Sequence, residues 1–91
     1  KKRVEAGVAY LNVVRPKWLK KIDLDVLDLN DKKTCIIGEL EGDYFDGVRE
    51  LGFLDEGNEV QRLGFWCENK KEYPALTRAW KKKIKELRKI I

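Results

Sequence analysis

The stretch YPALTRAWKKKIKELRKII, residues 73–91, decides the fold. Tyr73, Leu76, Trp80, Ile84, Leu87 and Ile91 recur at spacings of three and four, the pattern of a helix with one buried face. Pro74 stands in the first turn, where its missing N–H costs nothing. Arg78, Lys81, Lys82, Lys83, Lys85, Arg88 and Lys89 cover the rest of the surface, and cations near a helix C-terminus suit its dipole. The apolar stripe of such a helix has to be covered by other elements. The expected fold is therefore all-α, with short helices packed against a long basic C-terminal helix, in a single helical domain over residues 1–91.

Reading backwards from that helix, Phe65, Trp66 and Cys67 form a short apolar stretch, and 68–72 a polar connection. Asn58 is placed to cap a short helix from Glu59 to Leu63, stopped by Gly64. Residues 52–58 read as a loop. Between Lys32 and Gly52, the apolar residues Cys35, Ile36, Leu40, Tyr44 or Phe45, and Val48 follow helical spacing, with Asn30 or Asp31 as the cap. Gly38, Gly42 and Gly47 interrupt this helix at about 1 kcal/mol each in an interior. Either it is kinked or the glycines let another backbone approach closely. A strand at 34–37 is the rival reading.

The segment IDLDVLDLN, residues 22–30, half-alternates, and is read as extended chain or one helical turn that pins Leu24, Leu27 and Leu29 into the core. Residues 3–15 read as a helix through Val4, Val8 and Leu11, weakened at Gly7 and ended by Pro16. Lys17 to Ile22 adds a short helical turn.

Charge is laid out in blocks. Residues 1–22 hold seven Lys/Arg against Glu5 alone. Residues 23–68 hold thirteen Asp/Glu against Lys32, Lys33, Arg49 and Arg62. Residues 69–91 hold nine Lys/Arg against Glu72 and Glu86, for a net charge of +4. If the basic ends pack side by side they form one positive face opposite a negative one. If they pack onto the middle, the charges largely cancel.

Several functions are disfavoured by composition. No apolar run approaches the roughly 18–20 residues of a membrane span. Lys1-Lys2-Arg3 is followed by Glu5, Asn12 and Arg15 rather than by a signal-peptide core. Two cysteines, Cys35 and Cys67, make one bridge at most, too few for a disulfide-stapled secreted domain. The expectation is a soluble cytoplasmic protein with both thiols buried and free. With no histidine, acid–base catalysis lacks its commonest agent, neither thiol has an activating partner, and zinc is not expected. No phosphate-binding glycine loop is present. Asp23, Asp25, Asp28 and Asp31 lack the central glycine of a calcium loop and read as caps and solvated charges. The chain is not read as an enzyme, and no cofactor is expected.

Two surfaces remain as candidates. In GELEGDYFDG, residues 38–47, the acids Glu39, Asp43 and Asp46 would share a helical face beside Tyr44 and Phe45. Exposed aromatics among acids suit a protein-binding surface; the plainer alternative is core aromatics and solvated acids. On the last helix, Lys81, Lys82, Lys85, Arg88 and Lys89 can neutralise phosphates; the plainer alternative is a solvated helix face. Lysine predominates there and lacks the arginine fork that reads bases, so any nucleic-acid binding would be weakly sequence-specific.

WLKKIDLDVLDL at 18–29, CIIGELEGDYFDGVRELGF at 35–53, LGF at 63–65 and YPALTRAWKKKI at 73–84 together resemble a group of small uncharacterised phage and prophage proteins. The likeness covers most of the chain. Glu39 stands where that group often has glutamine. Lys32 or Lys33 stands where it often has a second cysteine near Cys35, so a metal or disulfide role for such a pair has no support here. The resemblance implies a phage or mobile-element origin and no established activity. Small phage accessory proteins often occupy a host protein, so the leading expectation is a binding module acting in the host cell. Its target would be a host protein, for example a CRISPR or other defence nuclease that it inhibits. A nucleic-acid-binding accessory protein is the alternative, and a virion assembly component a third.

Overall fold

The computed structural model describes residues 2–53 and 57–90. Among them there are helices, turns and irregular chain but no strand: α1 Lys2–Val14, α2 Trp18–Lys21, α3 Ile36–Glu41, α4 Tyr44–Glu50, α5 Asn58–Arg62, and α6 Tyr73–Ile90, the last entered through a single 3-10 turn, Lys70–Glu72. The fold is all-α: α1 lies along α6, α5 packs on α1, and α3 packs on α4 and on α2. No helix among the described residues is long and apolar enough to cross a membrane.

The periodic face of α6 is its buried face. Tyr73, Leu76, Trp80 and Ile84 are buried and Leu87 is partly so; Ile91 lies outside the described residues. Trp80 is the hub. Its ring stacks on Phe65 at 5.9 Å and 14°, and meets Trp18 edge-on at 6.0 Å and 84°. Its indole N–H donates to the Gly64 carbonyl at 2.7 Å. Across from it, α1 supplies Val4, Val8 and Leu11, and brings Gly7 so close that an added Cβ would strike the Leu63 carbonyl and lie 2.7 Å from the Trp80 ring. Gly7 thus weakens α1 intrinsically and permits its packing. Trp18, fully buried, closes the far side and donates to the Asn12 side chain at 2.9 Å.

The long helix expected between Lys32 and Gly52 is corrected. Asp31 does cap, but what it caps is a turn: its carboxylate accepts from the Lys33 and Thr34 amides at 2.8 and 3.2 Å. Helix α3 starts only at Ile36, where the Cys35 sulfur accepts from the Gly38 amide; residues 34–37 are therefore turn and helix start, not strand. The helix then ends at Gly42, whose φ of +95° is closed to most residues. Asp43 starts α4 by accepting from the Phe45 amide. Gly38 serves the other purpose considered, since a Cβ there would strike the Lys32 carbonyl, whereas one at Gly47 would strike the side chain of Ile37 of α3, so Gly47 makes room for a side chain and not for another backbone. Asn58 is likewise corrected, since it lies inside α5 and Gly57 takes the cap position. The loop expected at 52–58 falls partly outside the described residues.

Residues 22–30 are extended chain and tight turns, burying Ile22, Leu27 and Leu29 and partly Leu24. The turns share one device. Asp23, Asp28, Asp31, Asp43 and Asn69 each accept a hydrogen bond from the amide two residues on, a side-chain mimic of a backbone turn. The Leu29 amide is received by Thr77 Oγ1 of α6 at 3.0 Å, fastening this segment to the long helix.

Two stability outcomes follow, both readable by urea denaturation. Trp80→Ala should cost roughly 3–5 kcal/mol. Gly7→Ala should destabilise the protein although alanine is the better helix former by about 1 kcal/mol; a gain in stability would mean that α1 and Leu63 are not in contact.

Candidate functional site

The five residues picked out in 38–47 do not form one surface. Gly42 separates Glu39 on α3 from Asp43 and Asp46 on α4, so the shared helical face expected for these acids is corrected. Tyr44 is buried, 6% exposed. Asp43 is the cap of α4, and its other oxygen lies 3.9 Å from Lys33 Nζ. Asp46 is exposed and pairs with Arg49 one turn on, at 3.8 Å. Phe45 is exposed at 41% and meets Tyr44 edge-on at 5.3 Å.

Glu39 points inward. Its Oε1 accepts from the Asp23 amide at 2.8 Å, and its Oε2 is buried with no hydrogen-bond partner among the described residues. Burial is the main cause that raises its pKa above the ordinary 4.5, and the nearby Asp23 charge adds to it; the bond from Asp23 and the charge of Arg88 act the other way. A carboxyl that binds its proton more tightly folded than unfolded opposes folding at neutral pH. That opposition is relieved as the pH falls through the folded value towards 4.5.

The basic set on α6 divides by direction. Arg88 is turned inward: its guanidinium donates to the carbonyl of Leu19 at 2.8 Å and to that of Ile22. It holds the end of α2 against α6 and does not face a ligand, a correction to its place among the candidates. Lys81 is half-buried on that same flank, while Lys82, Lys85 and Lys89 are exposed. Arg78, which was not among the candidates, completes their row: Arg78, Lys82, Lys85 and Lys89 fall at spacings of four, three and four, which puts them on one face of a helix. None of the four is in an ion pair among the described residues. The row spans about 16 Å of helix.

The basic ends of the chain also meet. A groove between α1 and α6 is lined by Val4, Glu5, Ala79, Lys82, Lys83 and Glu86. A second one, nearer the start of α6, takes in Lys2, Arg3 and Glu72, with Arg3 and Glu72 3.5 Å apart. Of the two layouts left open by the sequence, the basic ends lie side by side. Glu5, Glu72 and Glu86 interrupt the positive charge on the α1 flank, where Lys82 borders the groove, and Arg78, Lys85 and Lys89 lie outside both grooves.

The two thiols are held in their protonated form. Burial pushes Cys35 up to about 11 and raises Cys67 as well, so both stay protonated at neutral pH. Both are free and buried. Among the described residues, no group of three Cys, Asp or Glu side chains is placed to hold a metal ion.

Comparison with protein-family models, with curated proteins and with solved structures finds no match.

Two measurements test these placements. Arg88→Met should cost about 1–3 kcal/mol by leaving carbonyls unpaired, while Lys85→Met and Lys89→Met should stay within about 0.5 kcal/mol. Glu39→Gln should be at least as stable as the parent at pH 7, its advantage shrinking as the pH falls towards 4.5; a less stable variant at pH 7 would show that Glu39 is held by its charge.

Proposed function

We propose that this protein binds nucleic acid through the outer face of α6, with little sequence preference. The observation that carries the reading is the row Arg78, Lys82, Lys85 and Lys89, exposed and unpaired among the described residues. Its length of about 16 Å matches roughly five phosphates of one strand at 3.4 Å each. Three of the four are lysines, point charges that bind phosphate without reading bases. The neighbouring cations of α1, Lys2 and Arg3, enlarge the field that would steer a polyanion to this side.

The alternative of a protein-binding module built on 38–47 has less to stand on, because Glu39, Asp43 and Tyr44 serve the fold and only Phe45 and Asp46 remain at the surface. A phage origin, and an action on a host protein such as a defence nuclease, rest on the sequence resemblance alone. Nucleic-acid binding fits such an accessory protein equally well.

The test is fluorescence anisotropy with a labelled thymidine 15-mer. Four phosphate contacts predict a slope of about −2.8 in log K against log salt, and an affinity loss of about 50-fold between 50 and 200 mM salt. Lys82→Glu with Lys85→Glu should abolish most of that binding without unfolding the protein. Absence of binding at 50 mM salt, or binding indifferent to this charge reversal, would sink the reading.

A further inference from the structure

Of the three tryptophans, two are accounted for by the fold. Trp18 and Trp80 are fully buried, each ring packs on another aromatic ring, and each indole N–H has an acceptor. Trp66 differs on every count. It is only partly buried, and it makes no ring contact and no hydrogen bond among the described residues. Its neighbours Phe65 and Cys67 are buried, whereas Trp66 packs against the edge of the core with part of its surface left accessible.

Trp66 lies on the wall of a concavity of about 240 Å³ that also takes in Phe45, exposed at 41%. That is below the roughly 300–1,000 Å³ of a drug-sized site, a scale suited to one planar ring. Lys32 and Lys70 stand on its wall, and neither ammonium is ion-paired among the described residues. Two acids also line it. Asp31 turns its carboxylate to its own backbone amides, and Glu68 is exposed. Lys70 belongs to the 3-10 turn that leads into α6, so the concavity opens at the N-terminal end of the helix that carries the cation row.

We propose that this concavity seats one unpaired base of a single-stranded nucleic acid, stacked on Trp66 and flanked by Phe45, with Lys32 and Lys70 on the adjoining phosphates. Stacking is indifferent to base identity, and a positive track beside exposed aromatics is how single strands are held without sequence readout. The inference rests on the nucleic-acid reading above and narrows it: duplex keeps its bases stacked inside and can use only the row on α6. Single strand is therefore the preferred ligand.

The experiment is a titration of the full chain with the thymidine 15-mer and with a duplex of equal length, reading anisotropy and tryptophan emission together. Because Trp18 and Trp80 are buried, a quench on binding reports Trp66. Parent protein should show the quench with single strand and not with duplex. Trp66→Ala should weaken single-strand binding about 5- to 150-fold, the range for loss of one base stack, with duplex binding unchanged. Trp66→Phe should restore most of the affinity without the quench. Phe45→Ala, at a more exposed position, gives a second reading should Trp66→Ala fail to fold. Single-strand binding that persists unweakened in both alanine variants, with no quench in the parent, would overturn the base site and leave the α6 row standing. A parent that binds neither ligand would overturn both, and capture of the aromatic wall by an acidic peptide instead would reassign it to protein binding.

Discussion

Trp80 is the side chain on which the other placements depend. It touches three segments that are distant in sequence: Gly7 of α1, Trp18 of α2, and Gly64 and Phe65 of the turn after α5. A ring of that size with one polar atom fits a core only where its N–H finds an acceptor. Here the acceptor is a carbonyl exposed by the left-handed turn at Gly64, φ +77°. The glycine at 64 frees the carbonyl, and the glycine at 7 lets α1 close over the ring. Fixing Trp80 also fixes the rotation of α6 about its axis, and with it which lysines face outward.

The last helix was legible because its apolar residues repeat over an unbroken stretch with no glycine inside it. The middle of the chain was legible in composition and not in boundaries. Its apolar residues keep helical spacing across Gly42, since Ile37, Leu40, Tyr44 and Val48 all belong to one core, and spacing alone cannot show a change of direction between them. The signal of a break was present in Gly42-Asp43: a residue able to take positive φ followed by a strong N-cap. The same pairing of a short polar side chain with the amide two residues on recurs at Asp23, Asp28 and Asp31. A run of such acids reads as a charge cluster in the sequence and works as a series of turns in the fold.

Charge type carried less information than charge direction. Arg88 and Lys89 are adjacent and both basic, yet one ties down two carbonyls and the other is exposed. The difference is the 100° turn between successive helical residues, and its outcome depends on where α2 ends, which local sequence does not encode. Trp66 escaped notice for a similar reason. In a stretch with two other apolar residues it passes for core, and only its partial exposure between the buried Phe65 and Cys67 sets it apart.

The two halves of α6 therefore answer to different demands. Its inner face is held by close packing, where a lost methylene is felt, and its outer row by no ion pair among the described residues. Exposed lysines contribute little to stability, so their number and sign are free to be set by a partner. A row of like charges on one helix face costs a few tenths of a kcal/mol in repulsion per pair, and no acid among the described residues offsets it by ion pairing. A polyanion would remove that repulsion and release its own counterions at the same time. The fold can tolerate such a row because its core closes entirely on the opposite side of the helix.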